Sequence, residues 1–262
     1  MGAVRVERDR DVLAGLLRRD PVLHAYELGD LDDFFWPHTS WWRHGEQVVL
    51  LYTASRPATL LAFADGRDVV GAAALLAELA PTLPGSVVAH LSPGLLGALT
   101  GRFRVVTADP HVRMALTDPG RLAAVPVAGE VVTPADLPQL RALYAAAYPG
   151  NWFDPRMVRT GQYVGVREGG RLVAVAGVHV WSPVYRVAAL GNVTTRPEAR
   201  RRGLAAAVVA TVCRRLRGSV DHVALNVRAD NTAAVRLYER LGFTRVADFT
   251  EYGLTADPPV GS

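Results

Sequence analysis

The sequence predicts an α/β chain of the α+β kind, built as two domains. Three observations carry this. Stretches of helical and of strand-like period alternate along the whole chain, and neither period dominates. The 262 residues exceed the roughly 100–200 of one small domain. A run rich in turn formers, Asp118 to Gly129 with Pro119, Gly120, Pro126 and Gly129, interrupts the alternation and is followed by a fresh helix start. The expected division is an N-terminal α/β domain over 1–120, a linker over 121–129, a second domain over 130–255 and a disordered tail over 256–262.

In the first half, Asp9 to Arg19 carries Val12, Leu13, Leu16 and Leu17 at helical spacing. Pro21 to Leu31 reads as a second helix, followed by an aromatic loop with Phe34, Phe35, Trp36, Trp41 and Trp42. Gln47 to Thr53 and Ala58 to Ala64 read as strands around a Ser55-Arg56-Pro57 turn. Val69 to Leu79 is an Ala/Leu-rich helix stopped by Pro81 and Pro84. A short strand follows at Val87 to His90, then a helix at Pro93 to Leu99. Phe103 to Thr107 and Val112 to Leu116 read as two strands separated by Asp109-Pro110.

The second half opens on a helix from Thr133 to about Ala147. Thr133 can cap its free N–H groups, and Pro134 falls where a missing N–H costs little. Strands are expected at Gly161 to Glu168, Arg171 to Trp181 and Tyr185 to Thr195, the first two joined by a Gly169-Gly170 hairpin turn. A helix over Gly203 to Arg217 places Leu204, Val208, Val212 and Leu216 on one face. A strand at Val220 to Val227, a helix at Asn231 to Leu241 and a last strand at Thr244 to Tyr252 complete the order.

Composition narrows the function classes. Half the residues are hydrophobic and 21% are charged, which is ordinary globular composition. All side-chain bases other than histidine are arginine, and the net charge is +4. That mild excess suits a polyanionic small ligand, and no basic patch interleaved with aromatics argues for nucleic acid. The single cysteine, Cys213, excludes an intrachain disulfide and fits a reducing compartment. Met1 to Asp11 lacks an apolar signal core, and no apolar run approaches the ~18 residues of a bilayer span. A cytoplasmic protein with no membrane partner is expected.

The chemistry is expected in the segment Thr194-Thr195-Arg196-Pro197-Glu198-Ala199-Arg200-Arg201-Arg202-Gly203-Leu204-Ala205, between a strand and a helix. A glycine there permits close backbone approach, and the first N–H groups of the helix have no partners inside it. The positive end of the helix dipole lies in the same place, so the turn is suited to a pyrophosphate. A solvated arginine run at a helix start is the plainer alternative. About thirty residues downstream stands Asn231-Thr232-Ala233-Ala234-Val235-Arg236-Leu237-Tyr238-Glu239-Arg240-Leu241-Gly242-Phe243.

These two blocks resemble the signatures of the GNAT superfamily of acyl-CoA-dependent N-acyltransferases. Arg200, Gly203 and Ala205 fill its Arg/Gln-x-x-Gly-x-Gly/Ala pattern. Asn231, Ala234, Tyr238, Gly242 and Phe243 fill its Asn-x-x-Ala-x-x-x-Tyr-x-x-x-Gly-Phe pattern. The resemblance covers Glu130 to Leu254. Phe153-Asp154-Pro155 through Gly161, Gly191-Asn192 and Leu225-Asn226-Val227 are similar to the glycine N-acyltransferase-like branch. It implies a GNAT fold with a mixed, mostly antiparallel sheet. The first half, which lacks the arginine–glycine block, then fits a degenerate GNAT-like fold as in relatives with two such domains.

The resemblance also implies roles. Val193, Thr194 and Thr195 would offer backbone groups to the pantetheine arm of acetyl-CoA or another acyl-CoA, one of their N–H groups polarising the thioester carbonyl. Arg200, Arg201, Arg202, Gly203, Leu204 and Ala205 would hold the pyrophosphate. Asn231 would bond the pantetheine or phosphate region, or simply cap its helix. Tyr238 would protonate the departing thiolate, or be a core aromatic. No metal is implied. Cys213 reads as a small core residue.

The general base is open. The strand Tyr185 to Thr195 holds no carboxylate. His179, Glu251 and Asp154 are candidates, and Asn192 could hold a water that relays the proton. Trp152, Phe153, Tyr163, Trp181 and Tyr185 line an acceptor pocket or pack against the first half. The expected activity is transfer of an acetyl or other acyl group to the amine of a small molecule or amino acid, by a monomer or homodimer. A non-catalytic acyl-CoA sensor is the alternative.

Overall fold

The computed structural model describes residues 4–64 and 68–257. These divide into two units. The first holds 4–113, 228–230 and 246–257, and the second holds 114–227 and 231–245. The break falls after Arg113, ahead of the turn-rich run. The last strand is shared out, its residues from 246 onward belonging to the first unit. Both points differ from the uninterrupted 1–120 and 130–255 expected from the sequence, because a run of turn formers marks a change of direction rather than a change of core.

In the first unit the strands are β1 (Arg5–Val6), β2 (Thr39–His44), β3 (Gln47–Tyr52), β4 (Ala58–Ala62), β5 (Ser86–Leu91) and most of β6 (Phe103–Leu116). Their order is β1-β2-β3-β4-β5, then the last strand of the chain, β12 (Phe243–Ala256), then β6. Pairings are antiparallel from β1 to β4, and β4 and β5 run parallel. A parallel pair needs a crossover, and helix α3 (Val69–Leu79) supplies it. Asp68 starts α3 by accepting from the Gly71 N–H. The core packs Leu75, Leu76 and Leu79 of α3 with Val49, Leu60, Ala89 and Leu254 of the strands. Helix α1 (Arg10–Leu17) is capped by Asp9, and α2 spans Ala25–Asp30.

Several expectations for this unit need correction. Trp41 and Trp42 lie on β2, not in a loop. Trp41 is buried, and Trp42, on the opposite face of the strand, is partly buried against the core cluster of this unit. The helix expected at Pro93 to Leu99 is a single 3-10 turn, Leu96–Ala98, and the one expected from Pro21 begins at Ala25. Asp109-Pro110 does not divide β6. The fixed φ of proline suits extended chain, and the Pro110 carbonyl accepts from the Ala229 N–H. Residues 258–262 of the expected tail lie outside the described residues, and Ala256 ends β12.

In the second unit the order is β11-β10-β9-β8-β7. The strands are β7 (Glu130–Val131), β8 (Val164–Glu168), β9 (Arg171–Ser182), β10 (Val187–Thr195) and β11 (His222–Arg228), of which 222–227 belong here. Only β10 and β11 are parallel among these pairs. The sheet is therefore mixed and mostly antiparallel. Helix α5 (Leu204–Leu216) makes the crossover and packs on β8, β9 and β10. Val208, Val212, Cys213 and Leu216 are fully buried on it. Helix α4 (Leu137–Ala147) follows a 3-10 turn that begins with a reciprocal cap: the Asp136 carboxylate accepts from the N–H and hydroxyl of Thr133. Helix α6 (Thr232–Arg240) buries Val235 and Tyr238. Among the described residues no helix is long and apolar enough to cross a membrane.

Candidate functional site

Strands β10 and β11 pair from Val187↔His222 to Leu190↔Leu225, and there the pairing ends. On its other edge β10 continues against β9 as far as Thr195↔Ala174, with two shifts of register. Among the described residues, 191–195 of β10 thus have a strand on one edge only. Within this stretch Asn192 takes a left-handed φ of 56°, which kinks the strand between Gly191 and Thr194. At its end the Thr195 hydroxyl is buried without a hydrogen-bond partner.

The chain then turns. The Arg196 N–H bonds Val173 O, and a 3-10 turn covers Pro197–Ala199. Arg201 and Gly203 both have left-handed φ, 62° and 78°. Such a sequence of conformations points successive N–H groups toward one side. Helix α5 begins at Leu204, and the first bond that closes on the turn is Ala207 N–H to Gly203 O. Among the described residues the amides of 201–206 have no protein acceptor. A Cβ on Gly203 would meet nothing within 4 Å. Arg201, Arg202, Gly203, Leu204 and Ala205 thus share one turn at the start of α5. Arg200 precedes them and bonds Thr195 O through Nε. The Arg202 side chain is held by both oxygens of Glu168.

Asn231 caps α6, its Oδ1 accepting from the Ala234 N–H. Tyr238 lies one helical stretch further on, 8% exposed, with its ring edge-on to Phe243. Cys213 is buried and its thiol is pushed up to about 12 by desolvation, which leaves it a packing residue.

Beneath the kink of β10 sits a buried polar group. Asn192 is 4% exposed. Its Nδ2 donates to the Tyr163 hydroxyl, which donates in turn to Val178 O. Its Oδ1 accepts from Asn151 Nδ2, and its carbonyl accepts from the Tyr144 hydroxyl. Burial pushes both phenols up, well beyond the ordinary tyrosine value, so their protons stay on as fixed donors. Asn192 is thus engaged at both ends of its amide. Phe153 packs against Tyr144 and Tyr163.

His179 lies beside this group. Its ring fills the space that a Cβ on Gly191 would take, 1.9 Å from its Cδ2, and it tilts against Trp152. The two carboxylate candidates stand differently. Asp154 is occupied by Arg156, which donates from Nε and Nη2, and by the Arg156 N–H. Glu251 belongs to the first unit, where the hydrogen bond from His90 holds its carboxyl below the usual range. Trp181 bonds Ser219 Oγ through its indole N–H, and Tyr185 stands in the turn after β9, its N–H bonded to Ser182 Oγ.

Sequence reading missed Tyr144 and Asn151. Tyr144 had a signal, since a polar-tipped aromatic on the apolar face with Leu140 and Leu143 needs a partner when buried. Asn151 had none beyond its place after Pro149-Gly150.

Comparison with known proteins agrees with this geometry. The model of the Acetyltransferase (GNAT) family matches residues 135–243. A mycothiol acetyltransferase of Pseudarthrobacter chlorophenolicus is 40% identical over 113 residues, 40% of this chain and 32% of that one. The chain spans about a third of the length of the curated relatives it matches. A solved structure from Novosphingobium aromaticivorans, assigned to the acetyltransferases of the GNAT family, is 31% identical with a TM-score of 0.55, over 70% of this chain and 80% of that one. A tandem GNAT protein from the clavulanic acid biosynthesis pathway shares the fold over 99% of both chains, at 15% identity and a TM-score of 0.56. The matched segment contains the open turn, the kinked strand and Tyr238, and the chain belongs to the GNAT family of acetyltransferases.

Proposed function

We propose that the second unit binds acetyl-CoA and transfers its acetyl group to the amine of a small molecule or amino acid. The single observation that carries this is the run of unpartnered amides over 201–206 at the start of α5. A pyrophosphate is a fitting occupant. It brings negative charge to the positive end of a helix dipole and acceptors to donors that otherwise have none. The open space at Gly203 and the strand edge over 191–195 leave room for the ligand's backbone-like arm.

Acetyl-CoA supplies a thioester carbon open to attack when it is bound. The protein's tasks follow. The Val193 amide, next to the kink, is the donor that would stabilise negative charge on the carbonyl oxygen. Tyr238 is the acid for the departing thiolate, and Asn231 serves as cap and as ligand to the pantetheine arm. Of the candidate bases, His179 is preferred for its place against Gly191 and Trp152, beside the kinked strand; Asp154 is turned to Arg156, and Glu251 belongs to the first unit. Asn192, bonded at both ends of its amide, is poorly suited to hold a relaying water. The placement nearest the glycine N-acyltransferase-like branch rests on the residues quoted above, and relatives named mycothiol acetyltransferase support a small acceptor. The first unit is read as a GNAT-like half that carries no acyl-CoA.

Calorimetry with acetyl-CoA and thiol release across a panel of amino acids and amino sugars test the proposal together. Binding near micromolar Kd with release on at least one amine is expected. Absence of binding at millimolar acetyl-CoA removes the reading. Binding without release on any amine would leave a sensor in its place.

A further inference from the structure

We propose that Asn192 is the positioning residue of this site, one side chain that fixes the Val193 amide on the acyl side and the Asn151–Trp152 turn on the acceptor side. The inference rests on the acetyltransferase reading above. It starts from a conformation that L residues adopt at a cost, with asparagine among the most tolerant. Three bonds hold Asn192 there. The Tyr163 hydroxyl has one hydrogen and gives it to Val178 O, so its oxygen accepts from Asn192 Nδ2. That fixes which end of the amide is which, and leaves Oδ1 to accept from Asn151. The Tyr144 hydroxyl holds the carbonyl.

The two arms lead to different substrates. Through the backbone, Asn192 sets the plane of the peptide that carries the Val193 N–H. Through Oδ1 it holds Asn151, and the next residue, Trp152, closes on His179. The His179 ring occupies the hollow at Gly191, the neighbour of Asn192. One buried side chain thus links the group that would stabilise the oxyanion with the aromatic and imidazole that would face the amine. Among the described residues neither arm bonds the open turn at 201–206, so the grip on the pyrophosphate should be separable from both.

The test uses the full chain, acetyl-CoA and the best amine from the turnover panel. Asn192→Gly keeps the left-handed backbone available and removes both side-chain bonds. Asn151→Ala cuts the acceptor arm. Asn192→Asp also tolerates the left-handed region; its carboxylate accepts from Asn151 but cannot donate to Tyr163. Removing alignment of an oxyanion donor costs about 10²–10³ in kcat, so Asn192→Gly should lower kcat by at least about tenfold. Its KM for acetyl-CoA should rise by less than kcat falls, because the pyrophosphate turn at 201–206 is untouched. Asn151→Ala should chiefly raise the acceptor KM. Asn192→Asp should recover the acceptor KM while kcat stays low. A kcat for Asn192→Gly within about twofold of wild type would overturn the inference. So would losses that follow only the fraction of protein unfolded at the assay temperature, read from thermal melts. No thiol release by the wild type would instead sink the acetyltransferase reading, and this inference with it.

Discussion

At the scale of single residues, Gly203 and Tyr238 separate binding from chemistry. Gly203 has a left-handed φ and open space where a side chain would stand. Gly203→Asp adds backbone strain of about 1–2 kcal/mol and puts a negative charge among amides suited to an anion. Calorimetry should find acetyl-CoA affinity reduced by at least about tenfold, the equivalent of ~1.4 kcal/mol. Tyr238→Phe removes only a hydroxyl from a ring packed on Phe243. Turnover should fall by about 10²-fold, the usual worth of a positioned acid, while affinity holds; unchanged turnover would acquit Tyr238. The turn at Gly203 was legible in the sequence because its parts are neighbours along the chain. The Asn192 group was not, since its partners lie 29, 41 and 48 residues away and nothing local announces them. Asn192 itself was singled out, but for a water relay that its engaged amide does not favour.

Asp30 sets a second residue-scale expectation. It is buried in the first unit, and desolvation, then the neighbouring Glu27 charge, pushes its carboxyl well above the ordinary range. The folded state then keeps a proton that the unfolded chain releases at pH about 4. Stability falls as pH rises from there through the raised value. Asn cannot ionise and escapes this loss. Asp30→Asn should therefore gain on wild type as pH rises, with the Tm difference between variant and wild type larger at pH 8 than at pH 4. A difference independent of pH would show that Asp30 does not titrate in that window.

At the scale of elements, helix starts that carry a capping side chain are the most legible features. Thr133 and Pro134 announced α4, and the structure adds Asp136 as the reciprocal acceptor. The Thr133 N–H, followed by the Thr133 hydroxyl and Arg167, holds the Asp136 carboxyl below its usual range. A lowered carboxylate contributes stability above the unfolded value, and loses it as pH falls through the folded one. Asp136→Asn should cost about 1 kcal/mol at pH 7, as lost caps do, and less near pH 2. Urea titrations at the two pH values check this, and an equal cost at both would assign the effect to packing. Strand limits were read less well, for a physical reason. Proline breaks a helix reliably, but in extended chain it removes only one donor, so Asp109-Pro110 looked like a boundary and is the middle of β6. Likewise a run of tryptophans gives no clean alternation until burial is known, so β2 reads as a loop from the sequence alone.

At the scale of the whole molecule, the division into units is the part that sequence reading placed differently. Period and turn signals are local, whereas a unit is defined by which residues share a core. Residues 246–257 illustrate this. They follow the second unit in sequence, yet Phe249 and Leu254 are buried in the first. Strand β12 lies between β5 and β6, paired residue by residue from Thr250↔Leu91 to Thr255↔Ser86. A central strand donates on both edges, so its loss would expose the flanking backbone and open the core cluster at Leu254. A chain ending at residue 245 retains every residue of the second unit, including the open turn, the kinked strand and Tyr238. The expected result is selective. Hydrogen exchange should show the β5 amides that bond β12 losing protection, while amides of β9 and β10 keep theirs. Full protection of β5 in the shortened chain would mean that the first unit closes its sheet without its last strand. Loss of protection in β9 and β10 as well would mean that the two cores unfold as one.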